Sequence, residues 1–350
     1  MKHFSNRLCI LTILVLVLQV SGTFSKANAL ERVRLKMQSV FPSRVMDLME
    51  FKIVEKLKVN SDGKINLRFY EPNTIVPNPE LYTAVGQGQL DTAFGMPAYY
   101  SMKVPAVNFF GAVPFGPGFL EFSIWMRYGG GQNLKKRIYG QIGIVPIECS
   151  MFAPETAGWF KQRFSKIDEL KGQKMRIAGL GAKVLKKLGV KTRLLSVPDT
   201  LPALKKGIID AAEITSPDRD INFGFHKITK YNYYPSWFQQ TGPGELILNK
   251  KIWEGLSKTA QSIINTTCDQ IYFATAVRTN AIQPKAMRQL KQGGAEFVTL
   301  RDSELDKLRK AWHEVAEEES AKDPLFAEVY KSYKSFRDQY AIWGDRAYLK

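Results

Sequence analysis

The chain has 350 residues, 45% of them hydrophobic, and a formal charge of +17. That is ample apolar material for packed cores, in one large or two medium lobes. The lysines are scattered or paired, as at Lys135-Lys136, Lys186-Lys187 and Lys205-Lys206, with no basic run of five. They read as solvated faces or a field that draws small anions, so no nucleic-acid partner is expected.

Residues 1–29 read as a cleaved signal peptide. Lys2 and Arg7 form a basic start, and Leu8 to Val20 is a mostly apolar run too short to span a bilayer comfortably. Ala27-Asn28-Ala29 is an A-x-A cleavage site. The mature chain then starts at Leu30 in the periplasm; an uncleaved anchor is the other reading. Cys9 stands at the start of the apolar run, not after it, which argues against a lipoprotein. Cys149 and Cys268 remain. Exported chains of this size need no disulfide, and the expectation is two free thiols.

Further along, Val33 to Ser39 alternates as a strand. Met46 to Leu57 reads as an amphipathic helix, Lys64 to Tyr70 as a second strand, and Pro79 to Gly86 as a helix. Leu120 to Tyr128 predicts a helix. Gly129-Gly130-Gly131 breaks the chain before another helix to Tyr139, and Ile144 to Cys149 reads as a strand. Ser257 caps a long helix to Asn280 that ends or kinks near Pro284. Ser303 to Glu319 and Pro324 to Tyr340 are two more helices. The alternation of strands and helices predicts an α/β fold.

Two segments mirror each other. Ala84-Val85-Gly86-Gln87-Gly88-Gln89-Leu90-Asp91-Thr92-Ala93 and Ala203-Leu204-Lys205-Lys206-Gly207-Ile208-Ile209-Asp210-Ala211-Ala212 share a helix end, a glycine stop and a buried strand. Two similar lobes follow, with a ligand cleft between them. No low-complexity linker separates them, so crossing strands join the lobes.

No catalytic constellation stands out. His226 and His313 are isolated, and no metal-ligand spacing, P-loop or nucleophile motif is present. Arg176 ends a short apolar strand after Lys171-Gly172. It points into a cleft as a bidentate carboxylate clamp, or into a salt bridge. Gly179-Leu180-Gly181 lets backbone approach a small anion. Glu155 precedes Gly158-Trp159-Phe160, as a carboxylate in an apolar turn or an exposed loop acid. Glu213 ends a buried strand, where open α/β sheets place ligand groups, or is a surface acid. Tyr99 and Tyr100 end the mirrored unit of the first lobe, as site or core residues. Tyr330, Tyr333, Phe336, Tyr340 and Trp343 form one helical stripe, for a homodimer or for the chain's own lobe.

Phe164 to Gly179, with Asp168-Glu169-Leu170-Lys171-Gly172 and Lys174-Met175-Arg176-Ile177, resembles the signature of TRAP-transporter solute-binding proteins of the dicarboxylate-binding type. Other matching pieces are Pro97-Ala98-Tyr99-Tyr100, Tyr128-Gly129-Gly130-Gly131, Ile209-Asp210-Ala211-Ala212-Glu213, Tyr233-Tyr234-Pro235-Ser236-Trp237, and the Trp343 region ending Ala347-Tyr348-Leu349. The likeness is greatest to the branch that binds 2-oxo monocarboxylates. It implies the two-lobe periplasmic binding protein fold with crossing strands and long C-terminal helices. Residues 30–148 with 240–282 would form lobe I; residues 149–239 with 283–350 would form lobe II.

The resemblance also implies a function: capture of a small 2-oxo or 2-hydroxy monocarboxylate, with a bridging cation, for a TRAP membrane permease. Arg176 would bind the carboxylate. Glu155, Glu213 and the Ile214 carbonyl would hold the cation, and Tyr99, Tyr100 and Gln239 would complete the site. Three departures stand out. Glu155 replaces the usual glutamine, Ile214 the usual tryptophan, and Gln239 a usual glutamate. Two carboxylates facing one ion favour Ca2+ over the Na+ alternative. Arg219 or a lysine paired with Glu155, with no ion, is the competing reading. A homodimer through the C-terminal helices is implied too. The expectation is a binding protein and not an enzyme; a sensory binding subunit, or less readily an enzyme on this fold, are the rivals.

Overall fold

The computed structural model describes residues 30–48, 51–195 and 197–347. The expected signal peptide and the final Tyr348-Leu349 lie outside the described residues. The strands are β1 (Val33–Ser39), β2 (Ile65–Tyr70), β3 (Thr92–Gly95), β4 (Ile144–Phe152), β5 (Gly158–Phe160), β6 (Lys174–Arg176), β7 (Lys191–Arg193), β8 (Ala211–Ala212), β9 (Tyr231–Tyr234), β10 (Gly242–Asn249) and β11 (Glu296–Thr299). They form two sheets with the orders β2-β1-β3-β10-β4 and β11-β9-β5-β8-β6-β7. β1 shows why its residues form a strand: Val33, Leu35 and Met37 face the core while Arg34 and Lys36 face out. β3 and β10 are central and buried at every residue.

The mirrored segments fold alike in the two sheets. Each begins at the end of a short helix, Leu81–Gly86 in one and Val197–Lys205 in the other. The Ala84 carbonyl accepts from the N–H groups of Gln89 and Leu90; the Ala203 carbonyl accepts from those of Ile208 and Ile209. Gly88 and Gly207 supply the left-handed turns, at φ +79° and +69°. Asp91 then accepts the Lys36 N–H of β1 at 2.7 Å, and Asp210 accepts the Lys174 N–H of β6 at 2.8 Å. β3 runs parallel to β1 and antiparallel to β10. β8 runs parallel to β6 and antiparallel to β5.

Two antiparallel segments cross between the sheets. β4 leads to β5, and β9 returns to β10. Gly242 lies opposite Phe152 on one side, and Gly158 opposite Tyr233 on the other. Between them the Ala157 N–H donates to the Tyr233 carbonyl at 2.8 Å, and the Glu155 N–H to that of Gln239 at 3.4 Å. A third crossing joins helix Lys258–Ala281 to helix Gln283–Gln292. Ser257 caps the first of these as expected, its hydroxyl accepting the Ala260 N–H at 3.1 Å. Pro284 sits in the first turn of the second, where a missing N–H costs nothing.

Two expectations are corrected. Cys149 on β4 and Cys268 on helix Lys258–Ala281 are not free thiols but form a disulfide within a fully buried core. It links positions 119 residues apart, and a loop of about 100 residues closed this way stabilises by roughly 4–5 kcal/mol on chain-entropy grounds. The predicted helix from Met46 to Leu57 is two helices, Ser43–Leu48 and Ile53–Asn60. The break seats the Phe51 ring on Phe94, with centroids 4.0 Å apart. Much of the aromatic stripe faces the chain itself. Helix Pro324–Ala347 lies against the first sheet's flank, where Phe109 meets Phe326 at 4.8 Å and Tyr333 at 5.3 Å. Only the far end of the helix leaves large apolar side chains exposed, at Ile342 and Trp343. Helix Asp302–Lys322 packs on the second sheet's side, with Lys187 bonded to Glu318 at 2.6 Å.

The first sheet also buries a charge cluster. Lys135 is 1% exposed and pairs with Glu148 at 2.7 Å and with Glu245. Glu245 further accepts the hydroxyls of Tyr82 at 2.5 Å and Tyr139 at 2.8 Å. Burial opposes the lysine's charge, but the two carboxylates more than offset it and raise its pKa.

Candidate functional site

Arg176 is the last residue of β6, placed there by pairing with Ala212 of β8. It is 9% exposed. Its Nη1 donates to the Glu213 carbonyl at 2.6 Å and to the Glu213 carboxylate at 3.0 Å. Its Nε donates to the Leu195 carbonyl at 3.2 Å. Among the described residues, Nη2 is the nitrogen these bonds leave over. Of the two sequence readings of Arg176, clamp and salt bridge, the salt bridge is present.

Glu155 and Gln239 lie side by side on the two crossing segments. The Gln239 amide donates to the Glu155 carboxyl at 2.9 Å. The Glu155 carboxyl is also hydrogen-bonded to that of Glu213. Burial, then the Glu213 charge, pushes the Glu155 pKa well above the usual carboxylate range; Arg219 acts the other way. Arg219 lies 5.2 Å over the Phe152 ring and donates to the Ser216 hydroxyl at 3.0 Å. Ile214 follows Glu213 and is buried in the second sheet's own core cluster.

The first lobe reaches the site through Tyr99. Burial raises its phenol pKa while Arg176 pulls it down, so the two lie within electrostatic reach. Tyr100 turns away: its ring stacks on Tyr82 at 5.1 Å inside the first lobe. Gly179 is left-handed at φ +60°, and a Cβ there would stand 3.1 Å from the Asn108 side-chain oxygen. A Cβ at Gly181 would meet Phe238 at 3.1 Å. These glycines permit close approach of protein groups as well as of any anion.

Sequence reasoning missed a polar group behind the site. Asp220 is fully buried, and Trp159 Nε1 donates to one of its oxygens at 2.7 Å. The other oxygen has no partner, nor have Thr215 Oγ1 and the Tyr234 hydroxyl among the described residues. Burial raises the Asp220 pKa well above the carboxylate range. In sequence Asp220 looks the same as Asp218, two positions earlier; only the pairing with Trp159 tells them apart.

The donor set suits a hard cation. Two carboxylates in hydrogen-bond contact hold negative charge that an oxygen-ligated ion would neutralise. No three His, Cys, Asp or Glu side chains converge on one point among the described residues. An ion here would take Glu155, Glu213 and backbone or ligand oxygens.

Residues 48–323 match the family described as bacterial extracellular solute-binding protein, family 7. The chain belongs to that family. The fold of this family 7 protein is the two-lobe one of TRAP periplasmic binding proteins. Its sequence is 29% identical over 325 residues to a monocarboxylate 2-oxoacid-binding periplasmic protein of Nostoc sp., covering 93% of this chain and 89% of that one. A TRAP solute-binding protein from Bordetella bronchiseptica, a mixed-occupancy dimer with copurified calcium and picolinate, superposes with a TM-score of 0.86 at 29% identity, over 91% and 95% of the two chains. One from Pseudoalteromonas atlantica, with bound sodium and pyruvate, superposes at 0.83 and 27% identity, over 91% and 97%.

Proposed function

We propose that this family 7 protein captures a small 2-oxo or 2-hydroxy monocarboxylate in the periplasm and delivers it to a TRAP membrane permease. The carrying observation is one arginine fork beside a buried pair of acids. Arg176 takes the ligand carboxylate. Glu155, Glu213 and the Ile214 carbonyl hold a cation that neutralises a second ligand oxygen. Tyr99 closes over the pair from lobe I, and Gln239 fixes the Glu155 carboxyl. The relatives that hold calcium with picolinate and sodium with pyruvate support a cation beside a small carboxylate. The extra acid at Glu155 favours the divalent ion. Lobe I takes residues 30–148 with 240–282, and lobe II residues 149–239 with 283–350; the last helix braces lobe I.

Pyruvate has about six heavy atoms, and the best tiny ligands reach about −1.5 kcal/mol per atom. That limits binding to about −9 kcal/mol, a sub-micromolar dissociation constant. Reaching it requires a closed, dry cleft with each ligand oxygen paired. The protein reads as a receptor, as the family and its solved relatives are: the arginine and a bound cation neutralise an anion, and the phenol closes over it. Ile342 and Trp343 offer the contact for a second copy, which light scattering of Trp343→Ser against the native chain tests.

Native mass spectrometry of the purified protein, before and after chelation, tests the main reading. A retained small carboxylate that leaves with the metal is expected. Calorimetry with a panel of 2-oxo acids then ranks them; no binding by any acid in calcium or sodium would reject the reading.

A further inference from the structure

Glu213 serves two groups that the proposed ligation needs apart. Its carboxylate holds Arg176 Nη1 at 3.0 Å, while its backbone carbonyl holds the same nitrogen at 2.6 Å. Nη1 has two hydrogens, and both are spent on Glu213. Nε is spent on Leu195. A fork–fork carboxylate contact needs two adjacent guanidinium nitrogens, one hydrogen from each. Nη2 supplies one; the other comes only from Nη1 or Nε. Leu195 holds Nε through backbone, which is not free to swing. Only the Glu213 side chain can move away while the backbone bonds keep Arg176 in place.

The same carboxyl touches Glu155. It therefore stands between Arg176 and Glu155. A cation drawn to Glu155 attracts the Glu213 carboxylate and competes with Arg176 for it.

We propose that Glu213 is a two-position residue that blocks Arg176 until a cation draws it off. This rests on the site assigned under the proposed function and adds an order of assembly. Without a cation, the Glu213 carboxylate fills the place of the ligand carboxylate on Nη1. With one, Nη1 is released and the ligand binds by both nitrogens. Cation and carboxylate each raise the other's affinity by the same factor, as linkage demands. Part of that factor comes from freeing the arginine, not from contact between ion and ligand.

Binding without a cation separates this from a simple bridge. Calorimetry of pyruvate is run on the chelated native protein, on Glu213→Gln and on Glu155→Gln, and repeated for each with calcium. Each variant removes one acid of the pair beside the ligand, but only Glu213→Gln weakens the hold on Nη1. In chelated buffer, Glu213→Gln should bind pyruvate roughly tenfold more tightly than the native chain, the worth of one charge-assisted hydrogen bond. Glu155→Gln should gain severalfold less, and calcium should improve Glu213→Gln far less than the native protein. Equal gains in the two variants reduce the effect to charge and overturn the switch, as does no gain in Glu213→Gln. Either result leaves the carboxylate site standing if native protein binds pyruvate in calcium. Failure of the native protein to bind any 2-oxo acid in calcium overturns the site and the switch together. Thermal melts of each variant in chelated buffer confirm that the compared proteins are folded.

Discussion

The two lobes carry the same local device and put it to different uses. β1 and β6 both carry Lys-Met, at Lys36-Met37 and Lys174-Met175, and both lysine N–H groups are held by the matching aspartates. Register then equates Gln38 with Arg176: Gln38 pairs with Ala93, and Arg176 with Ala212. Phe94 stands where the second lobe has Glu213. In lobe I the strand end is sealed. Gln38 is fully buried, donates to the Val76 carbonyl at 2.8 Å and accepts the N–H groups of Ile75 and Val76. Phe94 is packed on Phe51. In lobe II the same strand end carries a buried arginine paired with an acid. A buried amide fastens a loop; a buried ion pair at the same position keeps a charge ready for another partner.

Lobe I keeps its buried charges for the fold, and breaking them should cost the most. Lys135→Met leaves Glu148 and Glu245 without their cation, and removing one member of a buried pair costs about 3–5 kcal/mol. Urea unfolding should show this, with the carboxylate affinity of the surviving folded protein unchanged. A loss below 1 kcal/mol would mean the cluster is not held by its charges.

Next in size is the clamp. Arg176→Lys keeps the charge and loses the planar fork, so carboxylate affinity should fall about 100-fold, near 3 kcal/mol. The melting temperature of the ligand-free protein should move little. Calorimetry with pyruvate reads the first effect and calorimetric melting the second; native affinity in the lysine variant would remove Arg176 from the site.

Gln38→Ala tests the other half of the comparison. It orphans the buried Val76 N–H, the partly buried Ile75 N–H and one carbonyl in the 75–76 loop, a loss of about 2 kcal/mol. Ligand affinity should stay at the native value. An effect on binding as large as that of Arg176→Lys would show that the equivalent positions share a role after all.

The last effect depends on pH. Asp220 has its folded pKa raised by burial, so between the unfolded value and the folded one the native state holds the extra proton. Stability from this group is therefore lost as pH rises through that window, by up to about 1.4 kcal/mol per pH unit. Asp220→Asn removes the term and keeps the Trp159 bond. Its stability relative to the native chain should climb from pH 5 to pH 8 in chelated buffer. A pH-independent difference would mean that Asp220 is charged in the native state.

The repeated Ala…Gly…Asp segments were legible because a glycine stop and a strand-capping aspartate are local devices. Arg176 was legible for the same reason: one charge at the end of a short apolar strand has few places to go. The Gln38 equivalence was hidden, since an amide and a guanidinium share no pattern and only sheet register relates them. Cys149 with Cys268, Lys135 with Glu245, and Trp159 with Asp220 are pairings between distant elements. No spacing rule reaches them. Tyr99 and Tyr100 show the limit at single-residue scale: adjacent and chemically identical, they are sent by one short helix to different surroundings, one toward Arg176 and one onto Tyr82.

The crossing segments place Glu155 and Gln239 at the fulcrum of the molecule. A lever turned about its fulcrum moves least there and most at its ends. On the proposed reading, fractions of an ångström gained between an ion and the Glu155 carboxyl would therefore become displacements of whole side chains at the outer rims of the lobes. A membrane partner resting on those rims would sense occupancy as a change of shape, without touching the ligand.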